Sequence, residues 1–256
     1  MAQEKLTFTS ESGDELAGRL DIPDDREPRG YVLFAHCFTG SKDVLAGVRI
    51  AKALWLRGFA VFRFDFTGLG ESEGDFANTT FSSNVGDLVA AAAFLRNNRE
   101  APTVLIGHSL GGAAVLASAG KIPEARAVCT IGAPADPEHV VHHFSEARAE
   151  IQAAGEAEVS IGGRPFRIKQ SFLDDIEGHS LEDSVRDMRK ALLVFHSPVD
   201  DVVGIENAGH IYAAARHPKS FVCLDGADHM LTDRDDAYYV AEVISAWADR
   251  YDQGVA

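Results

Sequence analysis

Residues 102–120 read PTVLIGHSLGGAAVLASAG, and the fold of the whole chain turns on how this stretch is parsed. Its first half, PTVLIGH, is apolar and β-branched, the composition of a buried strand. Its second half is built of small and unbranched residues that suit a helix. Ser109 stands at the switch, with Gly107 before it and Gly111 after it. A strand that becomes a helix across one serine is the layout of a nucleophile elbow, a strained turn that presents the serine Oγ. The flanking glycines allow close backbone approach on both sides. The free N–H groups and dipole of the following helix favour negative charge forming beside the serine.

Strand-like and helix-like runs alternate outward from this centre. KLTFTS and ELAGRLDIP, separated by ESGD, predict an opening hairpin. YVLFAHCF predicts the third strand, followed by a helix over VLAGVRIAKALWLRG that closes at Gly58. AVFRFDF predicts a buried strand, and NVGDLVAAAAFLRNN a helix with Ser82 or Ser83 near its N-cap. Beyond the elbow come the strands ARAVCTIGAP, ALLVFHSP and KSFVCLDG, with helices over IENAGHIYAAAR and AYYVAEVISAWADRY. These runs predict an α/β fold, with an eight-stranded, mostly parallel sheet flanked by helices.

The alternation fails over residues 135–190, a stretch too long for a plain connection. PADPEHVVHHFSEARAEI suggests a helix, and Gly162-Gly163 between VSI and RPFRI a two-residue hairpin turn. We therefore expect a core formed by 1–134 and 191–256, with a small lid of helix plus β-hairpin inserted between strands 6 and 7. The apolar residues Phe144, Ile151, Phe166, Phe172, Leu173 and Ile176 must bury, and one or two of them are expected to line a pocket.

A serine nucleophile needs a base to take its proton and an acid to orient that base. In an α/β sheet these groups sit on loops after strand ends, in the chain order Ser, Asp or Glu, His. Asp200 in SPVDDVV and His229 in GADHML satisfy order and location together. Asp201 is the nearest competitor for the acid, while Asp225 and Asp228 lie close to His229 in sequence. An oxyanion hole needs one amide from the loop after the third strand and one after the nucleophile. FAHCFTG supplies the turn, and the expected donors are the backbone N–H groups of Phe38 and Leu110.

Composition narrows the remaining classes. The chain of 256 residues carries a net charge of −15, against nucleic acid and against an anionic membrane surface. Seven of the 24 basic residues are lysine, a bias that a salty habitat and codon usage would both produce. There is no apolar run long enough to span a bilayer, and MAQEKLTFTS lacks a signal-peptide pattern, so a cytoplasmic location is expected. Cys37, Cys129 and Cys223 form no C-x-x-C pair and read as free thiols, the last two as packing residues. GLGESEG is not a dinucleotide fingerprint, and His139, His142 and His143 read as a solvated helix face, so neither cofactor nor metal is expected. Asp65 reads as a turn-forming carboxylate, and His36 and His108 as packed structural groups.

The segments FAHCFTGSKD, FRFDFTGLGESEGDF, LIGHSLGG, SPVDDVV and GADHML together resemble the α/β-hydrolase superfamily across essentially the full chain. Within it the chain resembles the small bacterial cinnamoyl and feruloyl esterases, which carry a short hairpin-and-helix lid. It is also similar to the hydrolase half of proteins fused to an osmotically inducible, peroxidase-type domain; no such second half is expected after Ala256. The resemblance implies a cofactor-free acyl hydrolase working through an acyl-enzyme. Ser109 would be the nucleophile, His229 the base and then acid, and Asp200 the orienting carboxylate. The implied partner is a small-molecule ester, short-chain or arylalkenoyl, with monomer or homodimer left open. Rival readings are a thioesterase or peptidase with the same triad, a haloperoxidase-like activity, and a non-catalytic binding protein. One departure stands out: Cys37 occupies the place of glycine in the family's usual His-Gly-X after strand three.

Overall fold

Five-residue runs of wholly buried side chains make the centre of the sheet, because each is covered by helices on both faces. The computed structural model describes residues 2–252; Met1 and residues 253–256, at the two ends of the expected core, lie outside them. The main sheet comprises β1 (Ala2–Thr9), β2 (Glu15–Ile22), β3 (Tyr31–Ala35), β4 (Ala60–Phe64), β5 (Pro102–His108), β6 (Ala127–Ile131), β9 (Ala191–His196) and β10 (Lys219–Cys223). A separate two-stranded sheet pairs β7 (Glu156–Ile161) with β8 (Arg164–Lys169). The eight main strands run in the order β1-β2-β4-β3-β5-β6-β9-β10, the α/β-hydrolase arrangement. The pairs β1–β2 and β2–β4 are antiparallel, and every other neighbouring pair is parallel.

One face packs on α1 (Leu45–Leu56) and α8 (Arg234–Asp252). The other packs on α2 (Phe81–Asn98), α3 (Leu110–Ser118) and α7 (Glu206–Ala214). Ser82 and Ser83 lie near the cap of α2, as expected, and the capping residue itself is one that the sequence reading did not name. Thr80 is the N-cap: its hydroxyl accepts from the Ser83 amide at 3.2 Å while the Thr80 amide donates to Ser83 Oγ at 2.9 Å. This reciprocal box satisfies two amide donors at once, which a serine inside the first turn cannot do.

Between β6 and β9 the chain leaves the sheet. A 3-10 segment, Pro137–Ala147, runs into α4 (Arg148–Ala154), which ends on Gly155 at φ +84°. The β7–β8 hairpin turns at Gly162 and Gly163, both at positive φ, with Ile161 paired to Arg164. Two further helices follow that the sequence reading did not separate, α5 (Gln170–Glu177) and α6 (Leu181–Asp187). Phe144, Ile151, Phe172, Leu173 and Ile176 are buried in the same cluster as α2 and α3, with Phe166 packed against it. Cys129 is buried as expected, but Cys223 is exposed, because β10 is the edge of the sheet and has a neighbour on one side only.

Candidate active site

Ser109 sits between β5 and α3 with φ 55° and ψ −127°, a conformation that a side-chain-bearing residue adopts only under constraint. The constraint is visible on both sides. The Ser109 amide donates to the Ile131 carbonyl at 2.9 Å, tying the turn to the end of β6. A Cβ on Gly111 would lie 2.4 Å from the His36 carbonyl oxygen, so only glycine lets the elbow seat against the end of β3.

His229, on the loop after β10, reaches Ser109 Oγ with Nε2 at 2.9 Å and Asp200 Oδ2 with Nδ1 at 2.8 Å. A carboxylate only accepts, so Nδ1 carries the proton and Nε2 is free to accept from the serine hydroxyl. The other Asp200 oxygen accepts from the amides of Val202 (2.9 Å) and Val203 (2.8 Å). Burial pulls the Asp200 carboxyl upward, but the His229 bond and the two amides outweigh it and hold the group below the usual carboxylate range. His196 Nε2 donates to the Val203 carbonyl at 2.7 Å and fixes the loop that supplies those amides. Among the competitors, Asp201 is exposed and Asp228 is engaged by the Thr232 amide at 2.8 Å.

Phe38 and Leu110 line one small cavity of about 10 Å³ with His36, Cys37, Phe76 and Ala114. The Leu110 amide opens a helix and has no intrahelical acceptor there. Among the described residues no backbone acceptor engages the Phe38 amide either. The turn carrying Phe38 is braced from below. Asp65 accepts from the Lys42 amide and ammonium, both at 2.6 Å, and from the Glu71 amide at 2.9 Å. Arg63 donates to the Lys42 carbonyl and pairs with buried Asp21 at 2.8 Å. Asp65 thus organises two loops, as its turn-forming reading anticipated.

The histidines divide by surroundings. Burial drives His36 and His108 down to about 4, so both are neutral. His36 Nδ1 donates to the Cys37 carbonyl at 2.8 Å, and His108 Nε2 donates to the His229 carbonyl at 2.7 Å. His108 thereby supports the loop that carries His229. His139 is half-buried while His142 and His143 are exposed; burial and nearby imidazoles, His229 included, lower His139 and His143. Burial pushes the Cys37 thiol up to about 11, so it is not a thiolate at neutral pH. A larger groove of about 690 Å³, lined by Ala135, Asp136, His179, Leu181 and His210 among others, touches neither Ser109 nor His229.

This geometry can transfer a proton from a serine to an oriented imidazole. The fold brings together Ser109, His229 and Asp200, the three residues singled out in the sequence, and puts Phe38 and Leu110 in the lining of one cavity. Nothing in the sequence singled out His196, Gly132 or Arg164, whose approaches to the Val203 carbonyl, Asp200 and the Thr39 carbonyl arise only in the folded chain. Gly132, at φ +55°, leaves only 3.2 Å between a notional Cβ and Asp200 Oδ2.

Comparison with known proteins agrees with the architecture. The family described as Hydrolase_4, serine aminopeptidase S33, matches residues 26–154. The crystal structure of the esterase domain of a Rhodothermus marinus protein is 52% identical, with 99% of this chain and 100% of that one covered at a TM-score of 0.80. Mouse mitochondrial palmitoyl-protein thioesterase ABHD10 is 24% identical over 86% of this chain and 75% of its own length. The human protein of that name is spanned over 56% of its length. Est1E from Butyrivibrio proteoclasticus, solved with ferulic acid, shares the fold at 20% identity and a TM-score of 0.79, covering 96% of this chain and 98% of that one.

Proposed function

The chain belongs to the α/β-hydrolase superfamily, in the Hydrolase_4 family, and from that premise we propose that it cleaves carboxylic esters through a serine acyl-enzyme. The observation that carries this reading is the continuous chain Ser109 Oγ, His229 Nε2, His229 Nδ1, Asp200 Oδ2, with both links under 3.0 Å. In the proposed cycle His229 removes the Ser109 proton as Oγ attacks the ester carbonyl. The amides of Phe38 and Leu110 hold the developing oxyanion. The imidazolium, stabilised by Asp200, protonates the leaving alcohol. Water, activated by the same histidine, then releases the acid and restores Ser109.

The esterase-domain neighbour supports the ester class. Phe38 packs against Phe76 and Phe172, each at 5.7 Å between ring centres, and Phe76 against Phe166 at 4.9 Å. An aromatic wall of this kind beside the oxyanion amides supports aryl or cinnamoyl acyl groups among the substrates, beside short-chain ones. A thioester reading is favoured by one observation, the relatives named as palmitoyl-protein thioesterases. The same triad serves both bonds, so only the substrate distinguishes them.

The test is hydrolysis of p-nitrophenyl acetate, butyrate and octanoate, methyl ferulate and an acyl-thioester, beside Ser109→Ala. We expect turnover of the esters, lost by about four orders of magnitude or more in the serine variant, with folding unchanged. Turnover confined to the thioester moves the assignment to thioesterase. A rate that survives Ser109→Ala overturns the mechanism. Folded wild-type protein inert towards every substrate and towards a fluorophosphonate overturns the serine-hydrolase reading.

A further inference from the structure

The turn that offers the Phe38 amide is strained at its next residue. Gly40 N donates to the Cys37 carbonyl at 3.0 Å, closing a four-residue turn whose third residue, Thr39, has φ +56°. Turns with positive φ there ordinarily use glycine, and a β-branched residue holds that conformation only when its surroundings enforce it. From below, the enforcement is the Asp65, Lys42 and Arg63 bracing already described. From above, it comes from the insertion between β6 and β9. Arg164, the residue directly after the Gly162-Gly163 turn, donates from Nη2 to the Thr39 carbonyl. Among the described residues this is the one hydrogen bond from the insertion to residues 37–40.

Arg164 is also held in place. Its guanidinium lies 5.2 Å from the centre of the Phe166 ring, and the ring contacts from Phe166 edge-to-face with Phe76, and from Phe76 tilted against Phe38, return to the same turn. Phe172 of α5 covers the other side of the Phe38 ring. The insertion therefore grips the turn twice, by the Phe38 ring and by the carbonyl one residue later.

We propose that Arg164 is a positioning residue for oxyanion binding: its bond to the Thr39 carbonyl keeps the strained 37–40 turn in the conformation that aims the Phe38 amide at the substrate carbonyl. The proposal rests on the serine-hydrolase reading and adds to it a link between the insertion and the reaction centre. When the Arg164 bond is absent, Thr39 relaxes from positive φ, the closure from Gly40 to the Cys37 carbonyl opens, and Phe38 shifts with its amide away from Ser109. The loss then falls on the charged tetrahedral state and leaves ground-state binding intact.

The experiment measures kcat and KM for p-nitrophenyl butyrate, and the inhibition constant of a trifluoromethyl ketone, in wild type, Arg164→Ala, Arg164→Lys, Thr39→Gly and the double variant Thr39→Gly/Arg164→Ala. Removing an oxyanion donor outright costs about 10²–10³ in kcat, so displacing one is expected to cost about tenfold. Arg164→Ala should lower kcat by about that factor, change KM by less than about twofold, and weaken the ketone in parallel with kcat. Arg164→Lys should recover part of the loss. In the Thr39→Gly background the effect of Arg164→Ala should shrink to within about twofold, because glycine takes φ +56° unaided. An Arg164→Ala effect confined to KM, or one undiminished in the Thr39→Gly background, overturns the positioning role. Fluorophosphonate labelling of Ser109 in wild type separates the two readings. Labelling with unchanged kcat in Arg164→Ala rejects this role alone, and absence of labelling rejects the serine-hydrolase reading and this role with it.

Discussion

Asp200 and Asp201 are chain neighbours with opposite environments, and that difference decides which can serve a histidine. The Asp200 side chain is buried and accepts from two amides and His229, whereas Asp201 is exposed. Asp200→Asn presents an amide where Nδ1 needs an acceptor and favours the wrong imidazole tautomer. It is expected to lower kcat by about 10⁴, while Asp201→Asn stays within about twofold, both read by steady-state kinetics on a p-nitrophenyl ester. The reverse pattern would transfer the role to Asp201. At this scale the sequence was informative where a strand end marks a residue, as with Ser109, Asp200 and His229, which the fold brings within hydrogen-bond reach of one another. It was silent on His196 and Arg164, because each acts on a backbone carbonyl of another segment. Nothing in residue type or spacing marks such a carbonyl; the Arg164 contact spans 125 positions.

The helix α2 shows what an element's sequence conceals about its own ends. Thr79, Thr80, Ser82 and Ser83 all carry a capping hydroxyl, so the chemistry was legible and the position was not. The tertiary structure chose Thr80 because Phe81 is fully buried and must already be helical. Ser82, displaced from the cap, binds Asp175 of α5 instead, through its amide at 2.8 Å and its hydroxyl at 2.6 Å. The two hydroxyls should therefore separate by measurement. Thr80→Ala removes the cap and is expected to destabilise the fold by about 1 kcal/mol in urea denaturation. Ser82→Ala should cost less globally and raise hydrogen exchange in α5, since it loosens only the attachment of the insertion. Equal global effects would contradict this division. The insertion's extra helices escaped the reading for a related reason: α5 and α6 are eight and seven residues long, too short for periodicity to stand out.

Across the whole molecule, three buried groups with large shifts weigh most on how acid acts on the fold. His36 and His108 have an ordinary value of 6.5 and fall to about 4 in the folded chain through burial. Below pH 6.5 the unfolded chain takes up two protons that the folded chain refuses, so stability drops as pH falls towards 4. Asp87 opposes this. Burial raises it from 3.8 to about 6 against the bonds from Thr67, so the folded chain binds its proton first and gains stability as pH falls through 6. Two protons against one leave these three groups a net loss between pH 6 and 4 of about 1.4 kcal/mol per pH unit, to which the lowered His139 and His143 add in the same direction. Urea midpoints across that range should fall with pH at least this steeply, and Asp87→Asn should steepen the fall by removing the opposing proton. A flat wild-type profile would mean that these histidines protonate in the folded state. The net charge and the eight-strand alternation were legible from composition and pattern alone. These proton affinities were not, because they follow from burial, which the alternation does not assign residue by residue.

The parallel pairing of β6 with β9 has a further consequence for how this architecture can change. The chain leaves β6 at its carboxyl end and must re-enter β9 at its amino end, so part of the intervening segment has to travel back along the sheet. The helix α6 makes that return, packed against α3 and α7. The remainder is an excursion. It departs at Ala135 and Asp136 and comes back at His179 and Ser180, and all four residues open onto the same groove. A detour that starts and finishes at one place is a cassette: it can be exchanged, lengthened or trimmed in descent or in the laboratory without rethreading the scaffold. The strands that carry Ser109, Asp200 and His229 would keep their register while the mouth above them is rewritten, provided each replacement brings its own way of gripping the Thr39 carbonyl.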